Sequence, residues 1–326
     1  MSARPEELST LLQCRVRPRE AGVALLEFLA TRFRYFDREA WRREIEAGHV
    51  AVDGRRGTPD RVVGAGTVVG TRRVLREPAV PTEVRVVHDA AGILVVDKPA
   101  GLPFHADGVF ITHTLVAVLA SRLGPGLEPL QRLDRETSGL CLFARERQVA
   151  RALRAVGAPP IHKAYDAIAR GVIEGDEFTV DAPIGLRGDS AVALRRGVLQ
   201  TGAADARDAR TSFRVLARGR DATLLRCVLH TGRTHQIRVH LESIGHPLVG
   251  DKLYGRTDDE YLAWVAHVKQ GGDVAFDGRF GAPRQMLHAR RLELVSPLEG
   301  TALRLDATWP DDFRVCASEH GIVAPE

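Results

Sequence analysis

Asp134 is the first candidate for a catalytic side chain, because it lies between two arginines in a polar turn. Residues 131–139 (QRLDRETSG) form this turn, and the apolar run LCLFAR follows them. A turn attached to the end of a buried strand holds a carboxylate more firmly than a free loop does. Arg132 and Arg135 would keep the carboxylate ionised. From these residues alone, a salt-bridged structural turn is the more common explanation, and an ionised catalytic carboxylate is the alternative.

A second candidate pair is Lys163 and Tyr165 in the segment HKAYDA. Alternate side chains of a strand share a face, so this cation and this aromatic ring would lie side by side. A ring beside a cation can stack on a nucleobase and offer it a hydroxyl group. An ordinary edge-strand face explains the same Lys-x-Tyr pattern, so the pair becomes informative only together with the other segments.

The third segment, residues 230–241 (HTGRTHQIRVHL), predicts a helix with polar groups near its N-terminus. Thr234 is predicted to cap this helix, and apolar residues such as Ile237 are predicted to face the core. His235 and Arg238 are three residues apart, so they would be neighbours on another side of the helix. The histidines form neither an HExxH motif nor a Cys/His tetrad, so no metal is expected.

In order and spacing, these three segments resemble the RluA-type RNA pseudouridine synthases. The resemblance covers nearly the whole chain, from VVHDAAGILVVDKPAGLPFHADG through GRTHQIRVHLESIGHPLVGDKLYG to QMLHARRLELVSPLEG. It implies the pseudouridine synthase fold and an enzyme that isomerises uridine to pseudouridine in RNA. This reaction breaks the glycosidic bond, turns the uracil and rejoins it through carbon five. The resemblance implies no cofactor and no metal.

The resemblance also assigns roles to single residues. The family's catalytic aspartate falls on Asp134, its active-site tyrosine on Tyr165, and the arginine that pairs with the aspartate on Arg238. Arg132 matches an arginine that helps to hold the RNA around a flipped-out nucleotide. Three more residues are expected to contact RNA, namely Lys163, Arg233 and His105. The family usually has histidine before Arg-Leu-Asp, whereas this chain has Gln131, which keeps hydrogen-bonding capacity but no proton charge; activity is expected to survive.

An ionised carboxylate can act on the ribose in two ways: it can attack the anomeric carbon or remove the neighbouring proton. The sequence does not distinguish these routes. A non-catalytic RNA-binding protein on the same scaffold would be expected to lack the aspartate, the tyrosine or the arginine, and all three are present. A nucleoside hydrolase or glycosidase usually needs paired carboxylates or a metal at the sugar, and neither is evident around Asp134.

The elements that must position these residues belong to one larger unit, in which predicted strands outnumber predicted helices. The strands are 92–97, 140–145, 164–171, 212–218 and 223–230, and the helices are 112–123 and 235–245. Because strands and helices do not alternate strictly, we expect an α+β fold with a mixed, largely antiparallel central sheet and flanking helices. Residues 186–210 have little apolar periodicity and are expected to form a hairpin or a mobile insertion.

The N-terminal segment predicts a small helical module. Residues 21–36 carry apolar side chains at near-helical spacing, and a second helix begins at Asp37 and stops at Gly48. A short strand and an Asp53-Gly54 turn follow. This arrangement resembles the αL-type RNA-binding module of small-subunit ribosomal protein S-four, in which basic side chains lie against RNA phosphates. The matching residues would be Arg38, Arg42 and Arg43. A helical cap with a solvated basic face is the alternative.

Length and linker composition predict two domains. The chain has 326 residues, 44% of them hydrophobic, and a proline-bearing stretch, REPAVPTEV, separates the two parts. The expected divisions are a leader at 1–15, an αL-type RNA-binding domain at 16–76, a linker at 77–84 and a catalytic domain at 85–326. No apolar run reaches about eighteen residues, so no membrane span is expected. A cytoplasmic monomer is the default expectation.

The charge distribution is consistent with RNA as the partner. The whole net charge of +4 falls in residues 1–80, which hold 15 Lys and Arg against 11 Asp and Glu. Only four of the 46 basic residues are lysines. Arginine suits bidentate phosphate contacts and stacking on bases, although a GC-rich genome would produce the same bias. The basic N-terminal module favours structured ribosomal RNA over transfer RNA as the substrate.

Overall fold

The computed structural model describes residues 7–33, 36–106, 110–269 and 278–323. The chain divides into two compact units, Met1–Ala79 with Ala106–His113 and Val80–His105 with Thr114–Glu326. We call them the N-terminal unit and the larger unit. Within the described ranges, no helix is both long enough and apolar enough to cross a membrane.

The described part of the N-terminal unit contains two α-helices and six strands, which are two to nine residues long. In chain order the elements are β1 (Glu7–Arg15), β2 (Val23–Ala24), α1 (Leu25–Arg32), α2 (Arg38–Glu46), β3 (Val50–Val52), β4 (Arg55–Arg56), β5 (Val62–Val63) and β6 (Val68–Arg76). Four strands form an antiparallel sheet in the order β1-β6-β3-β4, and β2 pairs with β5. The prediction of a loose leader is wrong for residues 7–15, because all nine pair with β6.

The predicted start of the second helix is confirmed. Oδ1 of Asp37 accepts a hydrogen bond from the backbone N–H of Ala40 at 2.7 Å, which satisfies one of the free amides in the first turn. Helix α2 buries Trp41 and Ile45 in a core shared with α1 and β3. Asp53 and Gly54 join β3 to β4 with positive φ angles, as this kind of tight hairpin turn requires.

The larger unit carries the remaining elements. In chain order they are β7 (Arg85–Ala90), β8 (Ile93–Lys98), α3 (Leu115–Leu123), β9 (Glu128–Pro129), β10 (Ser138–Ala144), α4 (Arg147–Arg154), β11 (His162–Arg170), β12 (Glu177–Asp181), β13 (Ile184–Leu186), β14 (Arg196–Val198), β15 (Arg210–Arg218), β16 (Ala222–Leu229), α5 (Gln236–Ser243), α6 (Asp258–Lys269), β17 (Leu287–Val295), β18 (Ala302–Asp306) and α7 (Asp311–Glu319).

Ten strands of the larger unit form one sheet in the described part of the chain. Its order is β12-β15-β16-β11-β17-β10-β8-β7, with β18 paired to β17 and β9 paired to β10. The pairing of β10 with β17 is parallel, and the other pairings described in this sheet are antiparallel. The predicted α+β class with a mixed, largely antiparallel sheet is therefore confirmed. A hairpin was expected within residues 186–210, and β13 pairs with β14, but β13 begins at Ile184 and only its last residue lies in that range.

Strand β10 is buried on both faces of the sheet. Cys141 and Phe143 point into the core that α3 and α5 cover, while Leu140 and Leu142 point into the core that α4 covers. Helices on both faces explain why this strand is apolar without alternation. At its start, Gly139 lies so close to β17 that an added Cβ would meet the carbonyl oxygen of Ala289 at 2.3 Å. This close approach fixes the strand end that follows Asp134.

Candidate active site

The turn that carries Asp134 is held to the protein by three buried groups. The backbone N–H of Thr137 donates to the carbonyl oxygen of Asp134 at 3.1 Å, which closes the turn. The hydroxyl of Thr137 accepts a hydrogen bond from Nε2 of Gln285 at 2.8 Å. On the other side, the fully buried Lys98 donates from Nζ to the carbonyl oxygen of Arg135 at 2.9 Å. The backbone on both sides of the carboxylate is therefore fixed.

The two oxygens of the Asp134 carboxylate have different surroundings. Oδ2 accepts hydrogen bonds from Nη1 of Arg238 at 2.8 Å and from Nε2 of Gln285 at 3.3 Å. Oδ1 accepts no hydrogen bond from the part of the chain that the structure describes, and Nε2 of His235 lies 3.8 Å from it. One oxygen is thus anchored, and the other is available to a bound molecule.

Arg238 lies on the first turn of α5 between two carboxylates. Its Nε and Nη2 atoms donate to Oδ2 and Oδ1 of Asp251 at 2.7 and 2.9 Å. The backbone N–H groups of Leu253 and Tyr254 donate to Oδ1 of Asp251 at 2.9 Å each. The guanidinium carbon also lies 4.7 Å from the centre of the Tyr254 ring. These contacts fix the planar group in one orientation, which suits a bidentate arginine.

The charges around Asp134 decide its protonation state. Burial alone would raise the pKa of Asp134, but the charges of His235 and Arg238 and the hydrogen bonds from Arg238 and Gln285 lower that pKa to about 2. Burial and the charge of Arg238 lower the pKa of His235 to about 4, so the ring is neutral near pH 7. Arg238 is therefore the cation that keeps Asp134 ionised at neutral pH.

The start of α5 differs from the prediction. The N-cap is His235 and not Thr234, and it adopts a left-handed conformation with φ 60° and ψ 18°. Nδ1 of His235 lies 2.8 Å from the hydroxyl oxygen of Tyr254, which holds the ring at the site. The predicted proximity of His235 and Arg238 is present, since both side chains reach Asp134.

Tyr165 and Lys163 line the same cleft as Asp134 and Arg238. Only 6% of Tyr165 is exposed, and its hydroxyl forms no hydrogen bond with the residues described. Burial, followed by the charges of Cys141 and Asp134, raises the pKa of Tyr165 above its usual range, so the phenol stays protonated. Burial lowers the pKa of Lys163.

The cleft has a volume of about 180 Å³ and is lined by the three predicted catalytic residues together with Gln131, Arg132, Lys163, Arg233, His235 and Gln236. Arg132 and Arg233 are exposed at its edge. His105 is not among the lining residues. Burial, followed by the charge of Arg132, lowers the pKa of His105. The cleft thus brings together the three predicted catalytic residues and three of the seven predicted RNA contacts, namely Arg132, Lys163 and Arg233.

Three predicted RNA contacts lie in the N-terminal unit on α2. Arg38 forms an ion pair with Glu27 at 2.7 Å, and Arg42 lies 3.8 Å from Glu46. Arg43 is exposed. These three side chains present a partly paired basic surface on α2.

Gln131, which replaces the usual histidine, is bound to the sheet. Its Nε2 donates to the carbonyl oxygen of Leu140 at 2.6 Å, while its side chain also lines the cleft. The amide therefore ties the segment before Asp134 to β10. A neutral side chain is sufficient for this contact, because the acceptor is a backbone carbonyl.

Three residues of the site were missed by the sequence reasoning, namely Asp251, Tyr254 and Gln285. Asp251 and Tyr254 lie in GDKLYG, and Gln285 lies in QMLHARR; both segments contribute to the family resemblance. An acidic residue directly after the apolar stretch PLVG was the available signal for Asp251. No local pattern marks Gln285. Among the described residues, no group of three or more His, Cys, Asp or Glu side chains could hold a metal ion.

Comparisons with known proteins agree with this geometry. Residues 92–243 match the family model described as RNA pseudouridylate synthase. The chain is 34% identical over 318 residues to "Ribosomal large subunit pseudouridine synthase D" of Xanthomonas campestris, covering 94% of this chain and 91% of that protein. It is 31% identical to the mitochondrial "tRNA pseudouridine(32) synthase" of Saccharomyces cerevisiae, covering 78% of this chain and 54% of the yeast protein.

A solved structure is also similar. "Human RNA Pseudouridylate Synthase Domain Containing 1" matches with a TM-score of 0.55 and 26% identity, covering 74% of this chain and 90% of the human chain. The cleft, the matched family model and the extent of the bacterial similarity lead to one assignment. The chain belongs to the RNA pseudouridine synthase family, whose enzymes isomerise uridine to pseudouridine.

Proposed function

We propose that this protein isomerises specific uridines of large-subunit ribosomal RNA and that Asp134 is its catalytic carboxylate. The observation that carries the proposal is the 2.8 Å hydrogen bond from Arg238 to Asp134 in a cleft that Tyr165 also lines. The bacterial relative that is similar over most of both chains bears the name of a ribosomal large-subunit enzyme, which supports this substrate. The yeast relative makes transfer RNA the alternative substrate.

In the proposed mechanism, Asp134 acts on the ribose of the target uridine through Oδ1. The carboxylate is ionised at neutral pH, and it either attacks the anomeric carbon or removes the neighbouring proton. Arg238 holds Oδ2 and thereby aims the free oxygen. No step needs an external energy source, because a carbon–carbon bond replaces the carbon–nitrogen bond that is broken.

The detached uracil must be held while it turns. We assign this role to Tyr165, whose ring can stack on the base, with Lys163 beside it as a cation. The uridine must first leave the base stack, because an enzyme cannot reach its target atoms inside a duplex. We propose that cationic and wedge groups support the flipped nucleotide. Arg132 at the cleft edge is suited to the cationic role, and Arg233 offers a further cation. His105, whose pKa is lowered, is proposed as a wedge group and not as a cation.

The N-terminal unit is proposed to bind RNA as an αL-type module spanning residues 16–76. The capped helix α2, the tight turn after β3 and the basic side chains Arg38, Arg42 and Arg43 support this assignment. Phosphate contacts of this kind position the RNA without reading its sequence. A ribosomal RNA substrate would also favour action in the cytoplasm, and we propose that the enzyme acts as a monomer.

The test is a chemical map of pseudouridines in total RNA from cells with and without this gene. Cells that express only the Asp134→Asn variant should lack the same modifications, because the substitution removes the charge but keeps the shape. The matched control is Asp176→Asn, which changes a carboxylate whose side chain is 85% exposed. It should restore the full pattern.

Three results would contradict the proposal. Modification by Asp134→Asn at the wild-type rate would remove Asp134 from the mechanism. Missing pseudouridines confined to transfer RNA would favour the alternative substrate. Release of free uracil without new pseudouridine would instead indicate hydrolysis.

A further inference from the structure

His235 lies at the site in a backbone conformation that is uncommon for a residue with a side chain. Its φ of 60° places it in the left-handed region, where residues other than glycine are infrequent and are often found at functional sites. Its side chain is 15% exposed and lines the cleft beside Asp134. The proposed action of Asp134, Arg238 and Tyr165 does not use this ring.

The contacts of Tyr254 decide which nitrogen of His235 carries the proton. The backbone N–H of Arg196 donates to the Tyr254 hydroxyl at 3.3 Å, and Nδ1 of His235 lies 2.8 Å from the same oxygen. Among the described residues, this Nδ1 is the acceptor within reach of the hydroxyl proton. A neutral ring that accepts at Nδ1 must carry its hydrogen on Nε2.

The Nε2–H group then faces the free oxygen of Asp134. The 3.8 Å between Nε2 and Oδ1 is too long for a direct hydrogen bond. A hydroxyl group bound between them would satisfy both, because it can donate to the carboxylate oxygen and accept from the imidazole. A hydroxyl with both capacities is the group that distinguishes ribose from deoxyribose.

We propose that Nε2 of His235 donates a hydrogen bond to the 2′ oxygen of the target ribose, which makes His235 a specificity-determining residue for RNA over DNA. This inference rests on the proposed function, in which Asp134 acts on the ribose. The 2′ oxygen is attached to the carbon next to the anomeric carbon. It therefore lies near Oδ1 of Asp134 whether the carboxylate attacks the anomeric carbon or removes the neighbouring proton.

The experiment compares two substrates that differ in one atom. The probe is a synthetic RNA stem-loop around a uridine that the pseudouridine map identifies, carrying either uridine or 2′-deoxyuridine at that position. The rate constant for each substrate is measured under single-turnover conditions with wild-type enzyme and with His235→Asn. Asparagine tolerates the left-handed conformation, but its side chain is shorter than that of histidine.

Wild-type enzyme should prefer the ribose substrate, and His235→Asn should reduce that preference by about five- to tenfold, the loss expected for one neutral hydrogen bond. Tyr254→Phe should reduce it by less, because the ring of His235 stays but its tautomer is no longer fixed. The control is His230→Asn, which changes an exposed histidine bonded to Ser212 outside the cleft lining. It should leave the preference unchanged.

The ratio of the two rate constants is insensitive to partial unfolding, because both substrates meet the same fraction of active enzyme. An unchanged ratio in His235→Asn, with both rates reduced equally, overturns the inference and assigns the ring a structural role or a contact with the base. Absence of pseudouridine on the ribose substrate with wild-type enzyme overturns the proposed function itself. The two failures are therefore distinguishable.

Discussion

Asp251 accepts two parallel hydrogen bonds from Arg238, at 2.7 and 2.9 Å. Nη1 is the guanidinium nitrogen that remains to reach the catalytic cleft. Asp251 is itself fixed by the backbone N–H groups of Leu253 and Tyr254. The orientation of the Asp134 carboxylate therefore depends on a buried acid that does not line the cleft. Removing this second acid should disturb catalysis without removing a group that contacts RNA.

We expect Asp251→Asn to lower the single-turnover rate constant by up to about 100-fold, because a small misplacement of Arg238 misaligns Asp134. Affinity for the RNA stem-loop should stay within about twofold of wild type, since the substituted side chain lies behind the cleft. Thermal unfolding monitored by circular dichroism checks that the variant is folded at the assay temperature. A rate constant equal to that of wild type would mean that Asp251 does not control the site.

The pH dependence of the reaction follows from the lowered pKa values of Asp134 and His235. A carboxyl group with a pKa of about 2 is ionised at all higher pH values, and an imidazole with a pKa of about 4 is neutral above that value. The rate constant should therefore be constant from about pH 8 down to about pH 5. It should fall near pH 4, where His235 takes up a proton. Rapid-quench measurements across this range provide the test.

Arg238→Met provides the comparison for the pH profile. Arg238 lowers the pKa of both Asp134 and His235, so both pKa values should rise in this variant and the fall in rate at low pH should move to higher pH. If the rate constant of this variant fell at the same low pH as that of wild type, the assigned role of Arg238 would be contradicted.

The elements with strong local patterns were predicted well. The apolar runs correspond to β8, β10, β11, β15 and β16, and the strands differ from the predicted bounds by at most two residues at either end. Asp37 caps α2 as its side chain and position predict. These features depend on hydrophobic periodicity and on caps, which act over a few residues.

The failures come from contacts between distant parts of the chain. Gln285 reaches Asp134 across 151 residues, and its placement depends on the parallel pairing of β10 with β17. His235 replaces the predicted Thr234 as the N-cap. A cap preference is worth about 1 kcal/mol, which a buried contact such as that of His235 with Tyr254 can outweigh. No local sequence pattern predicts the contact of Gln285 with Asp134 or that of His235 with Tyr254.

The site itself was predicted through the family resemblance more than through its chemistry. Asp134, Tyr165 and Arg238 lie on three separate segments, and a structural explanation was open for the Asp134 turn and for the pair of Lys163 and Tyr165. The structure brings all three to one cleft. The catalytic roles of these three residues stay predictions, and substitutions of the residues test them.

Substitutions of Tyr165 can distinguish a role of its ring in stacking on the base from a chemical role of its hydroxyl. Because the hydroxyl has no hydrogen-bond partner among the described residues, Tyr165→Phe should cost little stability and keep the rate constant within a few-fold of wild type. Tyr165→Leu fills much of the same volume without an aromatic ring. It should lower the rate constant by roughly 5- to 150-fold, the range expected for one stacked base.

The same single-turnover assay and a melting curve are needed for both variants. Tyr165→Ala should lose at least as much activity as Tyr165→Leu and also some stability, because truncating a large buried ring leaves a cavity. Equal losses for Tyr165→Phe and Tyr165→Leu would assign the function to the hydroxyl and not to the ring.

The close contact between Gly139 and Ala289 predicts a large loss of stability on adding one methyl group. In Gly139→Ala the new Cβ would lie 2.3 Å from the Ala289 carbonyl oxygen and 2.7 Å from its nitrogen. Both partners are backbone atoms in paired strands, so β10 and β17 would have to separate. Since Asp134 precedes β10 and Gln285 precedes β17, activity should fall with stability.

Gly124→Ala is the matched control, because its φ of 87° is also positive but nothing lies within 4 Å of the added Cβ. Both variants carry the backbone strain, about 1 to 3 kcal/mol. The steric contact is present in Gly139→Ala alone, so this variant should lose more free energy of unfolding in urea titrations. Equal losses in the two variants would show that the strands can move apart at no cost, and the close approach would then not be what fixes the turn of Asp134.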